Sequence, residues 1–258
     1  MEPYVGGGGV ALHLLFEEVV NRIVINDKDR SLFAFWYSVL NNSEQLCRMI
    51  HDIPVNIENW YIQKEIQNNK DNAHLLSLGF STFFLNRTNR SGILKGGIIG
   101  GYNQTGLNKI DARYNKQNLI ERIEKIAELS NKIELYNLDA VELVKEQKEI
   151  LPRNTLFYFD PPYYVKGKGL YLNYYKDQDH EDIYNEITEI QNQHWVVTYD
   201  HVDFIANLYK DYRMFDYNLN YSASTVGKGL EYMIFSNNTN IPNHKLIEAS
   251  ANEIENII

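Results

Sequence analysis

Residues 156–164 read Leu-Phe-Tyr-Phe-Asp-Pro-Pro-Tyr-Tyr, an apolar and aromatic run that stops at Asp160-Pro161-Pro162-Tyr163. The run predicts a buried strand, and the two prolines end it because neither can donate to the sheet ladder. Asp160 then lies at the carboxyl end of the strand, where open α/β sheets bind ligands. The fixed φ of the prolines holds the Pro161 carbonyl and the Tyr163 ring rigidly. Two acceptors beside an aromatic ring suit a planar base that carries an exocyclic amino group.

A second pattern lies near the start of the chain, where residues 2–9 read Glu-Pro-Tyr-Val-Gly-Gly-Gly-Gly. A glycine-rich turn between a strand and a helix lets a ligand approach the backbone closely. About twenty residues further on, a short predicted strand ends in Asp27, at a spacing that suits binding of ribose hydroxyls. No Gly-Lys-Ser or Gly-Lys-Thr follows the glycines, which argues against a phosphate-binding P-loop. By themselves these features also suit a nicotinamide-dependent dehydrogenase.

Together the two stretches resemble the Dam-type family of adenine-specific DNA methyltransferases. In that family Glu-Pro-Tyr-x-Gly-Gly begins the S-adenosylmethionine site, and Asp-Pro-Pro-Tyr is the catalytic motif. The resemblance covers residues 2–236 and implies an α/β fold with a Rossmann-like methyltransferase sheet, helices on both faces and an inserted DNA-recognition region. It implies methyl transfer from S-adenosylmethionine to the N6 amino group of an adenine flipped out of DNA. Two alternatives remain open: methylation of the N4 amino group of cytosine, and a truncated or decayed protein that binds DNA without turnover.

The resemblance also implies roles for individual residues. Asp160 and the Pro161 carbonyl would accept the two N–H bonds of the target amine, a preorganised polar arrangement of the kind that dominates many active sites. Tyr163, which follows Pro162, would stack on the flipped base, and the tyrosines of the loop 163–177 would stack on other unpaired bases. Residues implied to contact the cofactor are Glu2, Pro3, Tyr4, Gly6, Gly8, Asp27 and Asp139. Residues implied to contact DNA are Asn86, Arg87, Arg113, Tyr114 and Asn115. For Asp139, capping of a helix over residues 140–147 is an equally good reading.

Bulk composition limits the class of protein. A chain of 258 residues with 44% apolar residues is long and apolar enough for a core, as one domain or as a domain with an insertion. The single cysteine, Cys47, excludes an internal disulfide and a multi-cysteine zinc site, and it suits a reducing cytoplasm. The seven histidines are scattered, so no metal site is predicted. No signal peptide or membrane-spanning stretch is predicted, and we expect a cytoplasmic protein.

Charge is distributed unevenly along the chain. The net charge is −9, but residues 86–125 hold eight basic and three acidic residues, a balance of +5 that leaves −14 for the remainder. Phosphate contacts need a local basic face and not a basic protein, so the segment is compatible with a DNA partner. A solvated helix face explains the charges of residues 116–125 equally well.

The rest of the chain predicts helices alternating with strands, which is typical of a largely parallel sheet covered on both faces. Helical spacing continues over residues 43–85, and the glycines of residues 92–108 predict a small hairpin or an extended loop that contacts DNA. Residues 1–42 and 132–258 are therefore predicted to form the catalytic domain, and residues 43–131 the inserted target-recognition region. Other predicted helices cover residues 10–20, 28–40, 116–130, 140–147 and 201–209, with one from His180 capped by Asp179. Other predicted strands cover residues 132–138, 195–199, 212–221 and 231–236.

The start of the chain departs from the family pattern. Family members normally carry a longer segment before Glu-Pro-Tyr, with a Gly-Gly-Lys stretch and the whole first strand. Here residues 1–5 are expected to supply only the last turn of that strand, which would leave backbone groups of its neighbours unpaired. Three explanations are compatible with this: a fragment of an active enzyme, a decayed copy that binds DNA, or a separate chain that completes the fold.

Overall fold

The computed structural model describes residues 1–165, 175–221 and 227–241, which form two compact units. Unit 1 comprises Met1–Asp27 and the residues from Leu138 onward, and unit 2 comprises Lys28–Asn137. These limits differ from the predicted limits at 43 and 131, because a helix that precedes residue 43 packs along the helices of unit 2. The loop residues Tyr171 and Tyr174 lie outside the described residues. In the described part of the chain, no helix combines the length and the apolar character needed to span a bilayer.

Unit 1 alternates helices and strands and unit 2 is mainly helical, so the chain is of the mixed α/β class. Unit 1 contains α1 (Gly9–Phe16), β1 (Ile23–Asn26), α7 (Ala140–Ile150), β3 (Leu156–Phe159), α8 (Asp177–Thr188), β4 (His194–Asp200), α9 (Asp203–Leu208), β5 (Arg213–Tyr221) and β6 (Gly227–Phe235). Unit 2 contains α2 (Arg30–Asn41), α3 (Ser43–Asp52), α4 (Ile57–Asn68), α5 (Leu75–Thr88), α6 (Lys116–Ala127) and β2 (Ile133–Tyr136).

The sheet of unit 1 has the strand order β3-β4-β6-β5. β3 and β4 are parallel, whereas β6 runs antiparallel to both of its neighbours. The backbone of Met1 and Glu2 lies between β1 and β3 and bonds to both. The Glu2 N–H donates to the Val24 carbonyl at 2.8 Å, and the Tyr158 N–H donates to the Met1 carbonyl at 2.9 Å. These two residues therefore connect β1 to the four-stranded sheet.

The two faces of this sheet differ in polarity, because side chains alternate between faces along each strand. One face is apolar and packs against α7, α8 and α9, and its buried residues include Phe157, Phe159, Val197, Tyr199 and Ile234. The opposite face is polar at the carboxyl ends of β3 and β4. Strand register assigns to it Tyr158, Thr198, Asp200, Tyr217 and Glu231. Polar side chains thus gather at the end of the parallel strands where α/β sheets bind ligands.

Unit 2 has its own apolar core, in which Trp60 and Phe84 are buried among the helices. The helical spacing predicted for residues 43–85 is confirmed by α3, α4 and α5. α2 and α5 pack so closely at Gly79 that a Cβ there would lie 2.4 Å from the Ala34 carbonyl oxygen. Residues 92–108 form turns with an isolated bridge between Asn89 and Ile98, so they form an extended loop and not a hairpin.

Three predicted helix limits in unit 1 are wrong, and one of them is the end of α7, which is Ile150 and not residue 147. α1 ends at Phe16 and not at residue 20, because the chain turns at Glu18, whose φ is +55°. α8 begins at Asp177 and not at His180. Asp179 therefore lies inside the first turn, where its Oδ2 accepts a hydrogen bond from the Lys176 N–H at 2.7 Å. An acid in the first turn stabilises a helix through the same exposed N–H groups as an N-cap residue does.

Candidate active site

The predicted glycine turn is present in unit 1. Gly6 and Gly8 have φ values of +45° and +69°, in the region that glycine occupies without steric cost. The Gly8 N–H donates to the Val5 carbonyl at 2.6 Å, which closes the turn. The Gly6 N–H donates to Asp27 Oδ2 at 3.2 Å, so the turn and the acid at the end of β1 are in contact. A Cβ built on Gly6 would meet no atom of the described residues within 4 Å, so on that side there is room beside the backbone.

Glu2 is buried beside this turn, with 4% of its surface exposed. Its Oε2 accepts a hydrogen bond from the Ala11 N–H, in the first turn of α1, at 3.1 Å. Burial raises the pKa of Glu2 to about 8, the Ala11 bond opposes the rise, and the charge of Asp160 adds to it. The two acids are therefore electrostatic neighbours, which brings the start of the chain and the Asp-Pro-Pro-Tyr motif into one site.

Asp160 lies directly after β3 and is exposed to solvent. Its Oδ1 accepts a hydrogen bond from Thr198 Oγ1 at 2.8 Å, and the same hydroxyl lies 3.3 Å from the Phe159 carbonyl. Surrounding protein atoms desolvate the carboxylate and raise its pKa to about 6, against the effect of the Thr198 bond. Solvent access on one side limits this desolvation, so the carboxyl group is both reachable by a ligand and ionised at neutral pH.

Tyr163 is fixed at its phenol end. Its hydroxyl donates to Glu231 Oε2 at 2.8 Å, across 68 residues of sequence. Burial, together with the charges of Asp160 and Glu231, raises the pKa of Tyr163 far above its usual value. The phenol is therefore a permanent donor. The next two backbone N–H groups, of Tyr164 and Val165, each donate to an Asp200 carboxylate oxygen at 2.8 Å.

The other predicted cofactor residues meet around the amide of Asn26, which sequence reasoning did not single out. Its Nδ2 donates to the Pro3 carbonyl at 2.9 Å and to the Leu138 carbonyl at 3.1 Å. The Leu138 N–H donates back to Asn26 Oδ1 at 2.9 Å. This bridge brings the Glu-Pro-Tyr turn close to Asp139, whose Oδ1 accepts from the Val141 N–H at 2.9 Å and caps α7. Tyr4 belongs to the same region, with its hydroxyl 2.9 Å from the hydroxyl of Tyr175.

The polar face of the sheet supplies site residues that were not predicted. Thr198 contacts Asp160, Asp200 contacts the loop after Tyr163, and Glu231 contacts Tyr163 itself. All three are buried. A sequence signal for two of them exists, since Thr198 and Asp200 interrupt the apolar strand Trp-Val-Val-Thr-Tyr-Asp at alternate positions. A polar residue repeated every second position in a buried strand indicates a polar face.

In unit 2 the predicted DNA residues include a cluster of arginines. Burial lowers the pKa of Arg87, and the positive charges of Arg113 and Arg122 lower it further. The Nε–H of Arg87 is buried and, among the described residues, has no hydrogen-bond acceptor. The guanidinium of Arg113 lies beside Gly92, 3.6 Å from where a Cβ on that glycine would stand. Like charges held together in this way favour an anionic ligand.

The remaining predicted DNA residues have structural contacts of their own. Tyr114 is 6% exposed and packs edge-on against Phe83 and Phe84, with ring centroids 5.5 and 5.6 Å away. Asn115 caps α6, since its Oδ1 accepts from the Asn118 N–H at 3.2 Å. Asn86 Nδ2 donates to the Gly92 carbonyl at 3.2 Å and fixes the start of the glycine-rich loop. Each of the three residues therefore has a structural role of its own: Tyr114 packs in the core, Asn115 caps a helix and Asn86 anchors a loop.

Comparison with known proteins agrees with the motifs. The sequence profile of the D12 class N6 adenine-specific DNA methyltransferases matches residues 1–223. The chain is also similar to the type II methyltransferase M.MjaIII of Methanocaldococcus jannaschii, with 22% identity over 233 residues that cover 83% of this chain and 78% of the relative. The profile covers both motifs and the arginine cluster between them. The chain belongs to the D12 class of N6 adenine-specific DNA methyltransferases, and its activity is methylation of adenine in DNA at N6.

Proposed function

We propose that unit 1 performs the transfer on a Rossmann-like sheet, with S-adenosylmethionine at the glycine turn and an adenine flipped out of DNA at Asp160. The strand arrangement supports this proposal. Residues 1–2 lie between β1 and β3, the parallel strand β4 follows, and the antiparallel strand β6 lies between β4 and β5. The carboxyl ends of the parallel strands would then flank one crevice, where open α/β sheets bind their ligands.

The residues of unit 1 fit such a cofactor. Open space beyond Gly6 leaves room for a nucleoside beside the backbone, and Asp27, already bonded to the turn, suits ribose hydroxyls. Glu2 and Asp160 place two acids close together, and a cationic ligand would favour the ionised form of both. Bound there, S-adenosylmethionine would supply a methyl group from its sulfonium. Glu2, Gly6 and Asp27 are the residues that we expect to hold it, with Pro3, Tyr4, Gly8 and Asp139 around them.

Three groups of the Asp-Pro-Pro-Tyr motif would act on the base. The Asp160 carboxylate and the Pro161 carbonyl would each accept one N–H bond of the adenine amine. That pair localises the nitrogen lone pair, which is otherwise delocalised into the ring. Because Thr198 and the prolines fix these acceptors before the base arrives, little reorganisation is needed during the reaction. Tyr163 would stack on the flipped adenine and hold its plane.

Unit 2 would hold the duplex. The side chains of Arg87 and Arg113 offer charge-assisted donors, and phosphate oxygens are the acceptors that such donors prefer in DNA complexes. The buried Nε–H of Arg87 supports a ligand there, because an unsatisfied buried donor is costly. Asn86, Tyr114 and Asn115 would act mainly by shaping this surface, through the loop, core and cap contacts described above.

The contact of Asp160 with Thr198, in an open site beside Glu2, is the observation that carries the proposal. The test is incubation with a labelled methyl donor and mixed-sequence DNA, followed by mass analysis of the nucleosides. Wild-type protein should yield N6-methyladenine, and Asp160→Ala should lower the rate at least about a hundredfold, the loss typical of one preorganised group. Asp182→Ala, a change of an exposed acid on α8, is the matched control and should retain the rate.

Binding measurements distinguish effects on DNA binding and on cofactor binding from effects on methyl transfer. Asp160→Ala should still bind duplex DNA, because the proposed phosphate contacts belong to unit 2. Calorimetry with S-adenosylmethionine alone should detect binding that Asp27→Ala weakens. Label recovered in N4-methylcytosine would refute the assignment of adenine, and an Asp160→Ala protein with wild-type turnover would refute the catalytic assignment.

A further inference from the structure

Glu231 is completely buried on β6, where it accepts two phenolic hydrogen bonds at the same oxygen. The hydroxyls of Tyr163 and Tyr217 each donate to Oε2 at 2.8 Å. Tyr217 stands directly opposite Glu231 in the β5–β6 ladder, so its contact follows from strand pairing alone. Tyr163 belongs to the loop after β3, two strands away, and no pairing rule accounts for that contact.

The contact fixes the Tyr163 ring at both ends. Pro162 restricts the backbone on one side, and Glu231 holds the hydroxyl at the opposite, para position. The following backbone is fixed as well, since Asp200 accepts from the N–H groups of Tyr164 and Val165. Asp200 and Glu231 are aligned partners on β4 and β6, so two neighbouring carboxylates constrain consecutive residues after the motif.

We propose that Glu231 is a positioning residue for methyl transfer, which acts by holding the Tyr163 ring in the orientation that receives the adenine. The inference rests on the proposed function of Tyr163. A ring held only at its Cβ can rotate and tilt, and small errors in the placement of a reacting group lower rates strongly. A hydrogen bond at the phenol removes this freedom without occupying either face of the ring.

Burial explains why a carboxylate suits this position. Two phenols that end in the same buried space both need an acceptor, because an unsatisfied buried hydroxyl is costly. A carboxylate oxygen has room for two bonds, which is what two phenols that meet at one oxygen require. The high pKa of Tyr163 and Tyr217, caused first by burial, keeps both phenols as donors. Leucine at 231 would fill a similar volume but offer no acceptor, whereas glutamine would retain one.

A double-mutant cycle tests the proposal. Tyr163→Phe, Glu231→Leu and the double variant are compared with the wild type in steady-state methylation. We expect each single change to lower kcat about three- to tenfold, as the loss of one hydrogen bond allows, with the KM for S-adenosylmethionine unchanged. In the Tyr163→Phe background, Glu231→Leu should cause no further loss, because its effect passes through the phenol. Glu231→Gln should recover most of the rate, since the amide oxygen still accepts.

Controls separate this role from general stability. Tyr209→Phe removes another buried phenol of unit 1, one whose hydroxyl has no partner among the described residues, and should leave kcat unchanged. Thermal unfolding of the wild type, the two single variants and the double variant tests the contact without measuring turnover. The loss of stability in the double variant should be smaller than the sum of the losses in the two single variants. Additive losses in kcat, or full activity of a folded Tyr163→Phe protein, would overturn the proposal. An inactive wild type would instead refute the proposed function, and the unfolding cycle would still report on the contact.

Discussion

Replacing Thr198 by valine should move the acid limb of the pH–rate profile toward neutral pH. The hydroxyl donates to Asp160 Oδ1 at 2.8 Å and holds the pKa of that acid down, against the rise to about 6 that burial causes. Valine has nearly the same shape but no donor. The pKa of Asp160 should therefore rise in the variant, and since the carboxylate is the form proposed to accept the amine, activity should be lost at higher pH.

The size of the effect follows from the strength of the bond. Hydrogen bonds to charged groups contribute about 1.5–3 kcal/mol, and the low end applies because Asp160 faces solvent. About 1.4 kcal/mol corresponds to one pH unit, which moves the midpoint from about 6 to about 7. At pH 6 the wild type is then about half ionised and the variant about one-tenth ionised. The rate ratio should be about five at pH 6 and should approach one at pH 9.

The assay is single-turnover methylation from pH 5.5 to 9, with DNA and methyl donor both saturating. Thr188→Val is the matched control, because Thr188 is a partly buried threonine of α8 whose hydroxyl bonds to the carbonyl of Asn185 and to Tyr212, neither of which is a residue of the site. Its profile should coincide with that of the wild type. If Thr198→Val lowered the rate by the same factor at every pH, the hydroxyl would act on geometry alone and the reasoning from charge would be refuted.

Three further predictions concern stability and binding. The contribution of Glu2 to the unfolding free energy should fall as pH rises from 4.5 to about 8, by up to about 5 kcal/mol, because folded Glu2 holds its proton until about pH 8; in urea titrations Glu2→Gln should lack this loss relative to the wild type. Gly79→Ala should destabilise unit 2 by at least about 1–3 kcal/mol in thermal melts, since its Cβ would overlap the Ala34 carbonyl, whereas Gly97→Ala meets nothing within 4 Å and should cost far less. Arg113→Ala should weaken duplex binding and reduce the salt slope by about 1 if it contacts a phosphate, and an unchanged slope would contradict that contact.

The parts of the site that sequence predicted are those set by local chemistry. Asp160 at a strand end follows from the two prolines after it, and the turn at Gly6 follows from the glycines themselves. Both are present in the structure. The contacts of Thr198 with Asp160 and of Glu231 with Tyr163 span 38 and 68 residues. They depend on which strands become neighbours and in which register, and no local pattern contains that information.

The same limit explains why sequence did not predict the structural contacts of two site candidates. Tyr114 is predicted to contact DNA because Arg113-Tyr114-Asn115 resembles a DNA-facing segment of the family. The structure instead buries its ring among phenylalanines of α5, because a large aromatic side chain gains most by leaving water. For Asp139 the sequence allows two roles, a contact with the cofactor or a helix cap. Its cap contact with Val141 is observed, and its proximity to the Glu-Pro-Tyr turn arises from Asn26, an amide far away in sequence.

The position of β6 has a consequence for synthesis on the ribosome. Among the strands of the described residues this one is made last, yet it inserts between β4 and β5 and brings Glu231 to Tyr163. A nascent chain that has already released Asp160 and its prolines still has an unpaired edge where β6 will lie. We therefore expect the growing polypeptide to remain inert toward DNA until β6 has left the ribosome and docked between its neighbours.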